Sequence, residues 1–533
     1  MGHDAPRGGP PSPDRRKVLL ALGFGALNVA ALSGLSTSSP RSRPVDPDSL
    51  LRPAAAAEPA EPAVPVDPPA IDGAAAEPAA SHTYDVVITG GRVMDPESGY
   101  DAMASIGIDG ERVTAISTDA LTGRRTIDAT DKVVAPGFID ILSYEPNDYG
   151  IWYKIADGVT TNLGMHGINA RAADFFERFA GEGSPCHYGG AYDNPFARDR
   201  LRIGVEVAAT ASQLDELVAD AAQQLADGWI GLDFEPEYTP GIETGEMARL
   251  AEVGAEVGAA SYFHGRFSTD VEPGTNADTL AEILAVARQS GAGVHVQHII
   301  STGGTFTMAR SLATLQAAVD DEALDVTACM YPYNYWATTL ASARFSAGWE
   351  ERFHITYEDL QVPGTGQRLT EASFEELQRD NVLVAAYAIP DDDVATCLRS
   401  PLVMLGSDAI LEPGDNNHPR STGCFTRLLG RYVRDRGVLD LMTALEKMTI
   451  MPARRVEAAA PAMARKGRLQ RGADADVVVF DPRTVTDTST VDDPAQFSTG
   501  MDHVLVLGQV VQGPDGRQDQ TVRPGRPITA TSA

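Results

Sequence analysis

Three patterns of apolar and polar positions follow one another along the chain. From residue 83 to 136, short β-branched runs alternate with turn residues. "YDVVITGGRVMD" breaks at a Gly-Gly pair, and "ASIGIDGERVTAIS" turns at Asp109-Gly110, a hairpin signal. The far end answers with "ADADVVVFD" and "MDHVLVLGQVVQGPDGR". Two β-rich ends around a long middle predict one small β-sandwich built from 83–136 and 465–533.

The middle, 137–464, has helical spacing instead. In "SQLDELVADAAQQLADG" the residues Leu214, Leu217, Val218, Ala221 and Leu225 share one helical face. Ser212 is the expected N-cap, and Gly228 follows the end. The apolar run Trp229–Leu232 then reads as a buried strand. A helix near Glu246 leads to the strand "SYFH", and another near Asp278 leads to "GVHVQH". Regular helix–strand alternation implies a parallel sheet. The fold class is therefore α/β, and at this length a (β/α)8 TIM-like barrel is the expected closure.

The ends of three successive strands carry Asp233 with Glu235, then His264, then His298. In a parallel barrel those ends converge on one mouth, where active sites form. A lone histidine is more often a hydrogen-bonded core residue than a ligand. Two at equivalent places on neighbouring strands make ligation a competing reading. His295 lies at odd spacing from His298 and so faces the helices rather than the mouth.

Ahead of these regions, Arg15 and Arg16 precede an apolar run from Val18 to Leu32. The run is short and interrupted by glycine, a poor fit to a bilayer span. Its basic start, apolar core and small residues at 31–33 predict a twin-arginine signal peptide over 1–34, and hence an exported protein, periplasmic, extracellular or in the cell envelope. No stable membrane span is expected after cleavage; an uncleaved anchor is the alternative. Residues 35–82 are rich in Pro and Ala without apolar periodicity, so an extended, disordered linker is expected.

Composition narrows the partners. The 533 residues include 74 acidic and 43 basic side chains, a net charge of -31. Such a surface repels nucleic acid and anionic lipid, so no nucleic-acid partner is expected. Cys186, Cys329, Cys397 and Cys424 form no CxxC pair, which argues against a structural zinc knuckle and leaves their pairing open. No feature fixes the oligomeric state.

Several motifs together carry a family resemblance. "VVAPGFID", "GLDFEPEYTPG", "YFHGR", "MYPYNYWATTL", "GSDA", "HPRSTGCFTRLLGRYVR", "MTIMPARRV" and "GADADVVVFDPRTV" occur in this order between Thr83 and Ile528. Their number and order resemble the amidohydrolase superfamily, closest to its D-aminoacylase (N-acyl-D-amino-acid deacylase) branch. The resemblance implies a barrel with a small β domain, and a lid-like insertion over about 335–401. It also implies hydrolysis of a non-peptide C–N amide bond with one or two divalent metals. In that family the metal activates water and a strand-eight aspartate moves the proton, a place matched here by Asp408.

The chain departs from the family where metal chemistry is concentrated. After "GFID" the family has His-x-His; this chain has Leu142-Ser143-Tyr144, which supply no good ligand. The family's second metal position uses a cysteine after a Gly-x-Thr-Thr strand plus two later histidines. Here "DGVTTNLGMHGIN" offers His166 in that neighbourhood. The resemblance thus implies one divalent metal, with zinc the expected ion, on His166, His264 and His298. Three imidazoles with an open fourth place are an established catalytic arrangement.

Further departures bear on the substrate, expected to be a small amide, N-acyl-amino-acid-like or cyclic. A family lysine is replaced by Ile300, and a Gly-His on strand three by Gly190-Ala191, with Tyr192 next. Cys329 falls where the family often has aspartate. Arg420 is the candidate carboxylate clamp, a structural ion pair being the other reading. Tyr331 and Tyr238 are candidate substrate contacts, and Tyr333 shares the face of Tyr331. Asp233 and Glu235 add carboxylates that, if inward, repel an anionic substrate or, with Glu145, extend the metal ligands. Changes clustered at the site leave a second expectation open, a catalytically inactive small-ligand-binding protein on the same scaffold.

Overall fold

The computed structural model describes residues 46–52, 70, 71, 73, 74, 81–272, 274–414 and 416–530. The expected signal peptide, 1–34, lies outside the described residues. Strand Val477–Phe480 from the C-terminal part pairs antiparallel with Val133–Pro136 from the N-terminal part. It thereby joins both ends of the chain in one eight-stranded sheet. Thr83–Asp95 runs through that sheet, antiparallel to Tyr100–Asp109 and parallel to Thr122–Asp128 and Val133–Pro136. Gly110, at the expected hairpin turn, has φ of 55°, which suits glycine.

The barrel follows in order. Phe138–Asp140, Val159–Gly164 and His187–Gly190 pair in parallel. Gly231–Phe234, Ala260–Phe263, Val294–Val296, Val326–Met330 and Val403–Leu405 continue in parallel, with Tyr192–Asp193 at the near edge. Ile230 N–H bonds to Gly190 C=O at 3.0 Å and links the two sets. The eighth strand meets the first through Asp140, which accepts from Ser407 N–H at 2.9 Å and from Lys154 Nζ at 2.8 Å. The α/β barrel with its small β domain is the fold the alternation predicted.

Local chemistry moved some boundaries. The helix Ala211–Ala226 is capped by Thr210, not Ser212, because Thr210 and Gln213 form a reciprocal capping box. Leu217, Ala221 and Leu225 are buried on it, whereas Leu214 and Val218 are only partly covered. The strand expected at Trp229–Leu232 begins two residues later, at Gly231. Trp229 instead packs on Phe175, ring centroids 5.0 Å apart. Not all of 35–82 stands off as a tether, either: Leu50 is 7% exposed, and its carbonyl accepts from Arg92 at 2.6 Å. Burying a leucine is worth about 1.5–3 kcal/mol, which favours this turn against the sheet.

Between the seventh and eighth strands, Trp336–Thr339, Leu383–Ala386, Leu360–Val362 and Gln367–Arg368 form an antiparallel sheet. Rings pack beside it; Trp349 stacks on Phe374 at 5.4 Å. Among the described residues, no helix is long and apolar enough to cross a membrane.

Candidate metal and substrate site

The strand ends bring seven sequence-selected residues to one mouth: His166, His264, His298, Asp408, Arg420, Tyr331 and Tyr238. One ring nitrogen from each of His166, His264 and His298 lies within 4.8 Å of the other two. All three rings are buried. His264 Nε2 meets Glu237 Oε2 at 2.6 Å. The carboxylate accepts, so Nε2 carries the proton and Nδ1 is left with its lone pair. Nδ1 faces His298 Nε2 at 3.1 Å. Two nitrogens bound to one tetrahedral zinc at 2.0–2.1 Å would be about 3.3 Å apart. The histidine pair is therefore already at ligand spacing, with a carboxylate fixing one tautomer.

The backbone places two of these groups at some cost. His298 and Asp408 each stand just beyond a strand with positive φ, 26° and 55°. Non-glycine residues rarely adopt such φ, and the strain is held where surrounding bonds dictate it. For Asp408, its N–H bonds to Leu142 C=O at 2.6 Å. For His298, its N–H bonds to Cys329 Sγ at 3.4 Å. Gly167, φ 61°, makes the turn that follows His166; an added Cβ would lie 3.1 Å from the Tyr144 ring.

Electrostatics divides the imidazoles. Burial lowers the pKa of His298 strongly, helped by repulsion from His264 and His166. Burial also lowers His264, against the pull of Glu237. Both are neutral near pH 7, the form that binds metals. Burial would lower His166 too, but Glu235 and Asp233 outweigh it and hold it up to about 10. A cation at the imidazoles would take the place of the proton those carboxylates favour. Burial opposes ionisation of Glu237, yet Arg344 and His264 hold its pKa down to about 2.

Asp408 sits at the rim of the imidazole cluster. Its Oδ2 pairs with Arg420 at 2.7 Å, and its Oδ1 lies 3.9 Å from His298 Nε2. That Oδ1 is buried without a hydrogen-bond partner, as are His166 Nδ1, Arg420 Nε and the Tyr331 hydroxyl. Buried polar atoms are nearly always satisfied, so this group of orphans fits a site made to hold other atoms. The Arg420 guanidinium lies over the Tyr331 ring at 4.5 Å, and Tyr238 packs on His264 at 4.5 Å. Beside them opens a cavity of about 670 Å³, lined among others by Tyr144, Asp193, Glu235, Tyr238, Asp408 and Arg420. That size suits a small molecule.

Other candidates are turned away. Glu145 pairs with Arg178, outside the imidazole cluster, so it extends no ligand set. His295 faces Thr327, 2.8 Å away, on the opposite side of its strand. Tyr333 donates to the carbonyls of Gly423 and Pro419 at 3.0 and 3.3 Å, a packing role. Tyr192 reaches Leu217 C=O toward the helices. Leu142 is fully buried, and the four cysteines are buried thiols with no disulfide. Arg420 makes the ion pair that was one of its two readings, with Asp408, and it also lines the cavity.

Sequence reasoning missed Glu237, Arg344, Asp193 and Gln297. Glu237 follows Glu235 by two residues in "EPEY", a spacing that could have drawn attention to it. Arg344 comes from the insertion and carries no local signal. Asp193 caps the helix Asn194–Arg200 through Phe196 N–H while facing the cavity. Burial and the nearby Asp233 push its pKa up to about 7.

The sequence matches the Amidohydrolase family over residues 169–512. It is 33% identical over 491 residues to the N-acyl-D-glutamate deacylase of Alcaligenes xylosoxydans xylosoxydans, covering 83% of this chain and 96% of the relative. It is 30% identical over 474 residues to the D-aminoacylase of the same organism, covering 81% of this chain and 95% of the relative. A crystal structure of D-aminoacylase superposes with TM-score 0.73 at 25% identity, over 84% of this chain and 100% of that one. N-acyl-D-glutamate deacylase from Bordetella bronchiseptica, complexed with zinc and a phosphonate inhibitor, superposes with TM-score 0.71 at 27% identity, over 84% and 100%. The chain belongs to the amidohydrolase family, metal-dependent hydrolases of non-peptide C–N bonds. Within it, the place of the chain is the D-aminoacylase branch.

Proposed function

We propose that this protein hydrolyses the amide bond of an N-acyl amino acid or a related cyclic amide with one catalytic divalent cation, zinc. His166, His264 and His298 would hold it. The supporting observation is the facing of His264 Nδ1 and His298 Nε2 at 3.1 Å beside the orphaned Asp408 Oδ1. A divalent cation there supplies Lewis acidity, activating water and polarising a carbonyl.

The residues of the chain do the rest. Glu237 fixes the His264 tautomer. Asp408 Oδ1, free while Oδ2 is held by Arg420, accepts a proton from water and returns it to the leaving nitrogen. Arg420 and Tyr331 present a buried donor pair to a substrate carboxylate, and Tyr238 and Tyr144 wall the cavity. Export by a twin-arginine signal belongs to the same proposal, on the strength of Arg15, Arg16 and the apolar run behind them.

Elemental analysis of the purified protein and of His298→Ala, with a hydrolysis screen across N-acyl-D-amino acids, N-acyl-L-amino acids and cyclic amides, tests the reading. One catalytic zinc that His298→Ala loses, together with turnover, is expected. Protein free of stoichiometric metal that still binds such compounds would favour the inactive binding protein instead.

A further inference from the structure

The far end of the barrel, where the strands begin, holds another cleft, of about 450 Å³. Ala260–Phe263, Val294–Val296 and Val326–Met330 start at its edge, and the helix Ile450–Glu457 closes it with Arg454 and Arg455. The Arg455 side chain is 4% exposed, and its NH1 pairs at 2.5 Å with Asp325, whose side chain is 68% exposed. Gly293 lies beneath that pair; an added Cβ would collide with both the carboxylate and the guanidinium. Arg454 reaches Glu97 at 3.2 Å, outside the cleft. The charged groups on the cleft wall are thus two cations and one well-solvated anion.

Three strands line up one polar side chain each at this end. Tyr262 is in register with His295, and His295 with Thr327, so the three stand side by side at the strand spacing of about 4.8 Å. The Tyr262 and His295 rings are 5.1 Å apart and fully buried. His295 Nδ1 meets Thr327 Oγ1 at 2.8 Å, and Thr327 lines the cleft. The Tyr262 hydroxyl, His295 Nε2 and Arg455 Nε are all buried without a hydrogen-bond partner. Burial lowers the His295 pKa well below its ordinary value, and the Arg455 charge adds to the fall. The ring is therefore neutral and carries one proton. With the Thr327 hydroxyl donating to Nδ1, that proton sits on Nε2.

We propose that Tyr262, His295 and Arg455 bind a small oxyanion, a carboxylate or phosphate, at the floor of the barrel. In this arrangement all three unpartnered atoms are donors: a phenol O–H, an imidazole N–H and a guanidinium N–H, the last with no lone pair at all. Buried polar atoms are nearly always satisfied, so three donors together call for an acceptor. A single water has two lone pairs and leaves one donor over. An oxyanion has enough, and its bond to the guanidinium is charge-assisted. A metal cation is the wrong occupant, because the site presents protons and a positive charge. None of these residues takes part in the mouth, so the site is separate from the one that would hold the substrate.

Calorimetric titration of the full-length protein with acetate and with inorganic phosphate tests this, ionic strength being held constant with chloride. Saturable binding of at least one of the two is expected. Tyr262→Phe should weaken it at least tenfold in Kd. Thr327→Val, which removes the bond that orients His295, should weaken it as well and keeps the test alive if the first variant misfolds. Arg420→Lys should leave it unchanged, which separates the floor from a carboxylate bound at the mouth. With no oxyanion present, Tyr262→Phe should be at least as stable to denaturant as the wild type, since it deletes an unsatisfied hydroxyl. No saturable binding beyond the chloride control overturns the inference, as does binding that Tyr262→Phe and Thr327→Val retain or that Arg420→Lys abolishes. A Tyr262→Phe protein that is less stable without oxyanion also overturns it, because ordered water would then already satisfy the hydroxyl. None of these outcomes touches the proposed hydrolysis.

Discussion

Glu237 holds His264 through a 2.6 Å contact at Nε2, and the same carboxylate oxygen takes both Nε and an NH2 nitrogen of Arg344 at 3.1 and 3.0 Å. Arg344 belongs to the insertion, so the insertion and the imidazole cluster share one buried ion pair. Ser268 bonds to the other Glu237 oxygen at 2.9 Å and completes the clamp.

That clamp predicts the effect of Glu237→Gln. The amide keeps the size but loses the charge that fixes the His264 tautomer and answers Arg344. Metal affinity should fall about 10–100-fold, the usual cost of removing such an orienting partner. Chelator competition measures it. An unchanged affinity would show that His264 needs no partner to present Nδ1.

Asp408→Asn separates proton transfer from binding. Asparagine preserves the shape and can still accept from Arg420. It cannot take a proton from water. Turnover should drop by about 100–10,000-fold, the range for a lost general base, with metal content unchanged. Retained turnover would move the base elsewhere, and Glu235 would be the next residue to change.

Much of this was legible in the sequence because period and order are local properties. The apolar stripe Leu217, Ala221, Leu225 and the strand "SYFH" define a helix and a strand without reference to anything distant. Once parallel strands were inferred, their C-terminal ends had to share a mouth, which brought His264 and His298 together. The contact of His166 with Asp233 and Glu235 was not legible. It joins segments more than sixty residues apart and depends on how the barrel closes. Arg344 lay in an insertion without periodicity, so nothing pointed to its position. Thr210 rather than Ser212 caps its helix for a reason of detail, since only Thr210 has Gln213 at the reciprocal place.

Arg420 makes a prediction about substrate. Its guanidinium is buried between Asp408 and the Tyr331 ring, and Nε has no partner. Lysine could keep the charge but not the planar fork. Arg420→Lys should lower kcat/KM for an N-acyl amino acid by about 10–100-fold, in keeping with one lost charge-assisted pair. The matching substrate with its carboxylate blocked as an amide should lose much less. Equal losses on both would assign Arg420 to holding Asp408 alone.

Asp393 carries a prediction on stability. It stands in the first turn of the helix Asp391–Arg399 and accepts from Phe306 N–H at 2.7 Å. Burial pushes its pKa up to about 6; the Phe306 bond works the other way, and repulsion from Asp392 and Asp270 adds to the rise. A raised acid binds more protons folded than unfolded between its two pKa values. Stability from this group is therefore fully present below about pH 4 and is lost as pH rises through 6. Asp393→Asn removes the titration while its amide oxygen can still accept from Phe306. Because solvent screens a part-buried group, the expected gain near pH 7 is modest, about 1 kcal/mol. Denaturant unfolding at pH 4.5 and pH 7.5 is the measurement. The variant should be the more stable at pH 7.5, with the gap closing toward pH 4.5. A difference that is the same at both would mean that this carboxyl ionises folded as it does unfolded.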